Sequence, residues 1–413
     1  MTINWNNNII IYDNCSQTPC GTFYGFGNNA YVDVVNPVIT STSIQEIEWI
    51  IPFVMYSTSS AEQLIGHRNG DWYFPYFYPG GQTPIVYNGQ GNQVGDYLNL
   101  NQKYWLKITR NYTNNTAQYS WSTDGITYTT YVTITFVDSG VQNGDPYRFG
   151  NSVYSGENQR WFNGSIFLSE VKCKVDGVNI PLFTSNNLNW NSDITFTGDF
   201  VISNEGYISG FKPDTYLTLG MSEVSGTNPS SALSMVFPII RTSIANGRES
   251  QLGWKDKRWM LPKFLSTGEY LAAYDNTTGS NVVVSPTLNR LQLYYIKVDW
   301  DEGTGYRSYS YSTDGTNFTQ YTSFNDTVMA SETPSGPIYI GMGNPNSGET
   351  AQWFIGELDL ANTKIYANGV EVPMVRPSPI IPEGTFNSKD ITNAYIGSTQ
   401  VTRMYLGSNL IYS

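Results

Sequence analysis

The chain has one histidine, His67, and three cysteines in 413 residues. A single imidazole removes most catalytic triads and most histidine-built metal sites. Cys15 and Cys20 are near enough in sequence to close a small loop, which the sequence leaves open, and Cys173 has no obvious partner. An odd, sparse count argues against a disulfide-built secreted domain. Charge is also scarce, at 14% of residues with a net of −12. The only basic cluster, Lys255-Asp-Lys-Arg258, is interrupted by an acid, so no nucleic-acid groove is expected. No stretch approaches 18 uninterrupted apolar residues, and membrane insertion is not expected. Met1-Thr-Ile-Asn-Trp5 lacks the basic start and apolar stretch of a signal peptide. Nor does any long window keep apolar residues at i, i+3, i+4 and i+7, so helices are not expected.

Aromatics are abundant instead, with 31 Tyr and 11 Trp among many Gly, Asn, Ser and Thr residues. That mixture suits short strands joined by tight polar turns. The chain also repeats itself. Trp105-Leu-Lys-Ile108, Tyr119-Ser-Trp-Ser-Thr-Asp-Gly125 and Tyr131 return as Tyr295-Ile-Lys-Val298, Tyr309-Ser-Tyr-Ser-Thr-Asp-Gly315 and Tyr321. Gly25-Phe26 matches Gly210-Phe211, Trp161-Phe-Asn-Gly164 matches Trp353-Phe-Ile-Gly356, and Val175-Asp-Gly-Val178 matches Ala367-Asn-Gly-Val370. A period this long is a domain, not a solenoid unit of ~20–50 residues.

The expected fold is all-β: two tandem antiparallel β-sandwich (jelly-roll) domains, residues 1–186 and 187–378, plus a short C-terminal β-hairpin element. Asp124-Gly125 and Asp314-Gly315, each between two strand-like runs, predict type I′ hairpin tips. Residues 379–413 combine a Pro-rich connector with a ten-residue echo, Tyr395-Ile-Gly-Ser-Thr and Tyr405-Leu-Gly-Ser-Asn. Short strands of this kind need a neighbour, so Tyr395, Ile396, Tyr405, Leu406 and Ile411 are the candidate assembly residues.

The pattern Gly-Phe … Tyr104-Trp-Leu-Lys-Ile108 … Tyr119-Ser-Trp-Ser-Thr-Asp-Gly125 … Phe149-Gly-Asn151 … Trp161-Phe-Asn-Gly-Ser-Ile166 … Lys174-Val-Asp-Gly177 resembles the concanavalin A-like lectin/glucanase superfamily. More closely it resembles the laminin-G-like jelly rolls of phage structural proteins, over roughly residues 20–182 and 205–375. The ending Tyr405-Leu-Gly-Ser-Asn-Leu-Ile-Tyr412 is similar to endings of virion proteins of phages that infect gut bacteria. The resemblance implies a bacteriophage virion structural protein: a head or tail fibre or capsid-decoration subunit, assembled in the host cytoplasm and located in the virion. Its partners would be other virion proteins, further copies of itself, and host-surface or mucosal glycans. The alternative is a non-viral secreted or surface carbohydrate-binding module or adhesin.

No enzyme is expected. Glu357-Leu-Asp-Leu-Ala-Asn362 approaches the Glu-x-Asp-x-x-Glu strand of the superfamily's glucanases, yet its last acid is Asn362, which cannot supply the second carboxyl. The equivalent Ser165-Ile-Phe-Leu-Ser169 has no acid, and Glu46-Ile-Glu48 lacks a third. Sugar binding calls for rings beside amides and carboxylates. Tyr73, Tyr76, Tyr78 and Trp254 do not recur between the copies, so they are the candidate glycan contacts. Trp72, Phe77, Trp259 and Phe264 do recur and read as core. Cofactors are expected to be absent. Calcium is the one ion that Asp138, Asp145, Asp214, Asp275 or Asp326 could take, but none sits in a run of alternate oxygen ligands. His67 reads as a structural residue.

Overall fold

The computed structural model describes residues 4–5, 9–11, 16–26, 30–57, 62–67, 75–77, 84–87, 92–94, 97–136, 146–154, 157–184, 194–197, 201–203, 207–211, 215–219, 232–242, 249–250, 252–254, 263–264, 270–275, 278, 280–301, 304–325, 338–340, 354–375, 394–396, 399–401, 404–406 and 409–412. Among these residues there is no α-helix and one 3-10 turn, Leu168–Glu170. The rest is strand and turn, so the all-β expectation holds. The chain forms two compact units, Met1–Val375 and Arg376–Ser413.

The larger unit holds the two copies. Each has a nine-stranded sheet built on one ten-residue strand, Glu46–Met55 in the first and Ala232–Arg241 in the second. Along one edge of Glu46–Met55 runs Lys103–Asn111; along the other, Gly164–Phe167 and Lys172–Val175 share its length. The second copy repeats this with Leu293–Asp301 on one side and Gly356–Asp359 and Lys364–Ala367 on the other. Proline belongs at sheet edges because it cannot donate to a ladder. Pro52 and Pro238 nevertheless sit mid-strand, and the register shows why. The short strands pair with residues 53–55 and 47–50 in one copy and with 239–241 and 233–236 in the other. Each proline therefore occupies the gap where that edge demands no N–H.

Strand alternation sends Ile47, Trp49, Ile51 and Phe53 inward against Val32, Val34, Tyr147 and Phe149 of a four-stranded sheet, forming the first core. Leu233, Met235, Phe237 and Ile239 meet Leu217, Leu219, Leu271 and Ile340 in the second. Both long strands alternate at first and then become buried on both faces over their last five residues. In the first copy, Val54 on that outer face packs against Ile355 of the second copy.

The Asp-Gly turns depart from the expectation. Gly125 has φ 72° but Asp124 is not at positive φ, and the last pair across the turn is Trp121 with Thr129. Side chains close this wider loop. The Asp124 carboxylate accepts the N–H groups of Ile126 and Thr127 at 2.8 Å, and the Ser122 hydroxyl accepts those of Asp124 and Gly125. Ser312 and Asp314 repeat the arrangement. The type I′ pattern, positive φ at both central residues, is found at Asp176-Gly177 (48° and 80°) and Asn368-Gly369 (49° and 79°). These turns join directly paired residues, Val175 with Val178 and Ala367 with Val370. Their side chains also tie down the start of each long strand. Asp176 accepts from the Gln45 and Glu46 N–H groups, and Asn368 from that of Ala232.

A Cβ added at Gly177 would meet nothing within 4 Å. Gly177→Ala is therefore expected to cost only the left-handed backbone strain, about 1–2 kcal/mol, read as a shift in the urea midpoint at unchanged slope.

The smaller unit contains two hairpins, Ala394–Ile396 with Thr399–Val401 and Met404–Leu406 with Asn409–Tyr412. The tail thus has two hairpins where one was expected. Each ten-residue echo folds on itself, because each carries a Gly-Ser pair, a two-residue hairpin signal, between its paired residues. Tyr395, Ile396, Tyr405, Leu406 and Ile411 all lie in these strands.

Candidate functional site at the joint between the copies

The joint forms where equivalent parts of the two copies meet. Tyr56 and Thr242 each follow the long strand of their copy, and Tyr56 Oη donates to the Thr242 carbonyl at 3.4 Å. The turn before Lys103–Asn111 meets the turn before Leu293–Asp301, where Arg290 donates to Asn101 Oδ1. The Arg290 guanidinium also lies 4.2 Å over the Tyr56 ring. Like parts facing like parts is the pattern of a two-fold contact, here inside one chain. Val54 and Phe167 of the first copy pack with Ile355 of the second to form its apolar patch.

Glu357 lies at the centre. Its strand, Gly356–Asp359, puts Leu358 into the core and Glu357 with Asp359 on the opposite face. Gly356 allows this strand to approach closely, since a Cβ there would lie 2.4 Å from the Ile240 carbonyl. Against Glu357 sits the turn Thr18-Pro-Cys-Gly21 of the first copy. Pro19 after Thr18 and Gly21 at φ 78° suit a type I turn closed by a left-handed residue. The Gly21 N–H donates to the Thr18 carbonyl and the Thr18 N–H to that of Thr22, both at 2.9 Å. That turn aims three donors at one carboxyl group. The Thr18 and Thr22 hydroxyls donate to Oε1, the latter at 3.1 Å, and the Cys20 N–H donates to Oε2 at 2.9 Å.

Glu357 is 0% exposed. Burial pushes its carboxyl up to about 7, against the opposing pull of the three hydrogen bonds. Asp359, also raised by burial, is capped by the Asn362 N–H at 3.0 Å and the Asn362 amide at 2.9 Å. The residue that stands where a glucanase strand has its third acid therefore closes a turn. Nearby, Lys103 pairs with Glu170 at 2.7 Å, both largely buried, and lies 3.8 Å over the Phe167 ring. Cys20 is a free, buried thiol whose Sγ lies 4.0 Å from the Val201 carbonyl of the second copy. Burial, and after it the Glu357 charge, hold that thiol well above its usual range, protonated and unreactive. Cys173 is likewise free and buried.

Of the residues proposed from sequence, Tyr76 is corrected as a surface ring: it is 7% exposed, in the strand Tyr76–Phe77 beside core residue Phe77. Tyr73 and Tyr78 lie outside the described residues, as do Trp72 and Trp259. Trp254 ends the strand Leu252–Trp254, paired with Ile338, and its side chain lies outside the description. Glu48 of the Glu46-Ile-Glu48 pair is engaged by Lys107 at 2.7 Å and Lys174 at 3.3 Å. Burial alone would raise Glu48, and the two lysines hold it below the usual carboxylate range. His67 ends a strand paired with Tyr147. Among the described residues, no group of three acids, cysteines or histidines is placed to hold a metal ion. No residue was assigned to the joint from sequence. Two signals point to it: the Thr-Pro-Cys-Gly turn, present in the first copy, and Glu357, standing where the other copy has Ser165.

No family model and no curated protein matches the chain. Solved structures do overlap with it. Domains LG4-5 of the mouse laminin α1 chain share 10% identity over 92% of this chain and 96% of that one, with a TM-score of 0.28. The CBM40 of the Ruminococcus gnavus IT-sialidase, bound to α2,3 sialyllactose, shares 12% over 41% and 92%, TM-score 0.29. A Trypanosoma rangeli sialidase shares 10% over 44% and 30%, TM-score 0.31. At these values the overlaps say nothing about ligand or activity.

Proposed function

We propose that the chain is a virion structural protein of a bacteriophage, a head or tail fibre or decoration subunit whose lectin-like jelly rolls contact host-surface or mucosal glycans. The observation that carries this reading is the use made of the strand that comes nearest the glucanase pattern. Glu357 is closed inside the joint, where it accepts from the other copy, and Asp359 is tied to a turn of its own copy, so both carboxyl groups are engaged in structural contacts. What remains is a doubled scaffold suited to presenting two surfaces at once, which raises avidity without new contacts. The separate C-terminal unit, with its two short hairpins, is the element for assembly with other virion proteins or with further copies.

Mass spectrometry of purified particles is expected to find the chain at structural copy number. A glycan array is expected to give binding that falls by up to about 10-fold in Trp254→Ala, the loss of one stacking ring. Absence from particles, with array binding retained, would replace this reading with that of a free carbohydrate-binding module.

A further inference from the structure

The two copies are covalently continuous, and beside the Tyr56, Arg290 and Val54 contacts their joint includes a polar contact centred on one side chain. Three donors from one turn of the first copy converge on Glu357 of the second, and Cys20 from the same turn packs against Val201. The Ser169 hydroxyl donates to the Cys20 carbonyl, so the turn is held from behind by its own copy. The equivalent of Glu357 in the first copy is Ser165, which contacts Tyr56 instead. The joint is thus asymmetric in its chemistry though symmetric in its elements, and its one central carboxyl is completely buried.

We propose that Glu357 is a proton-operated clasp between the two jelly rolls, closed when its carboxyl is protonated and loosened when it ionises. A buried carboxylate must either keep its proton or carry a desolvated charge. Protonated, Glu357 retains its contacts by reorienting a threonine hydroxyl, which both donates and accepts. Ionised, it carries a desolvated charge held only against its three donors. Glu170, on the 3-10 turn behind the contact, repels it, with the Lys103 charge already committed to Glu170. Asp359 shares its strand face, beside Tyr207 of the neighbouring strand. Cys20 contributes a thiol that stays protonated. Arg241, on the adjacent strand, is placed by alternation on the core side.

The direction in pH follows from the raised value. An open joint releases the carboxyl to its ordinary 4.5, whereas the closed joint holds it near 7. Closure is therefore fully favoured below pH 4.5, weakens as the pH climbs from 4.5 to 7, and is constant above that. The clasp holds independently of whether the jelly rolls bind glycans, and so does its test.

Hydrogen exchange on the full chain, corrected for the intrinsic pH dependence of exchange, reads the Cys20 amide directly. Its protection is expected to fall by up to about 300-fold between pH 4.5 and 8, the ratio set by the two titration values. Small-angle scattering should show a wider distribution of dimensions over the same range. In Glu357→Gln, which keeps size and hydrogen bonding without a titrating proton, both profiles are expected to be flat. Thr22→Val removes one donor to the carboxylate and is expected to move the wild-type transition to higher pH. A wild-type profile without a transition, or one that Glu357→Gln reproduces, would overturn the proposal. If Glu357→Gln fails to fold, an unshifted midpoint in Thr22→Val does the same.

Discussion

Asp33→Ala is expected to destabilise the first jelly roll by about 3–5 kcal/mol, because it strands a buried guanidinium. Asp33 and Arg148 are direct cross-strand partners in the four-stranded sheet. Their contact is bidentate, Nε to Oδ1 at 2.7 Å and Nη2 to Oδ2 at 2.9 Å. Side-chain exposure is 1% for Asp33 and 6% for Arg148, so water does not screen the pair. The guanidinium also lies 3.5 Å over the Tyr31 ring, which fixes its plane but does not neutralise it. Removing the acid thus leaves a desolvated charge beside an aromatic face. The double variant Asp33→Leu/Arg148→Met replaces both charges with apolar groups and is expected to recover most of the loss. Urea unfolding of the two variants checks this. A single substitution costing under about 1 kcal/mol, the size of a solvent-exposed pair, would show that water reaches the site.

Trp49→Ala carries the second large effect, about 3–5 kcal/mol, and it should be confined to one copy. Trp49 is fully buried mid-strand, with its ring 5.0 Å from that of Tyr147 and 5.6 Å from that of Phe149. Those contacts join the two sheets of the first sandwich, so the cavity opens between layers that cannot both relax. At the matching register position the second copy has Met235, buried in the second core. A flexible side chain there can be truncated at the lower end of the usual range, about 2 kcal/mol. Calorimetry of Trp49→Ala should split the transition, the first copy melting earlier and the second near its original temperature. One transition that simply moves down as a whole would mean that the joint couples the two cores through folding.

Much of this was legible along the chain. The repeat gives two copies of a sandwich, because Trp161-Phe-Asn-Gly164 and its counterpart specify the same close approach: a Cβ on Gly164 would lie 2.1 Å from the Val54 carbonyl. The Asp-Gly and Asn-Gly pairs mark turns, since few residues other than glycine adopt positive φ at low cost. Which Asp-Gly pair closes a two-residue loop was not legible. Asp124-Gly125 and Asp176-Gly177 read alike, and the choice falls to Ser122, whose hydroxyl captures two N–H groups and widens the first loop. Tyr76 shows the same limit for the candidate binding ring, because non-recurrence in sequence carries no information about which sheet face a strand of two residues buries.

Local pattern determined the strands, the tight turns, the doubled domain and the short hairpins of the tail, because each rests on neighbours in the chain: alternation, positive φ, a missing N–H. The joint was decided by tertiary structure alone. Glu357 and Cys20 are 337 residues apart, and an isolated Glu-Leu-Asp reads as the start of a catalytic strand. Only packing one copy's turn against the other copy's sheet removes that carboxyl from water, surrounds it with three donors, and turns it from a candidate acid catalyst into the fastening between two domains.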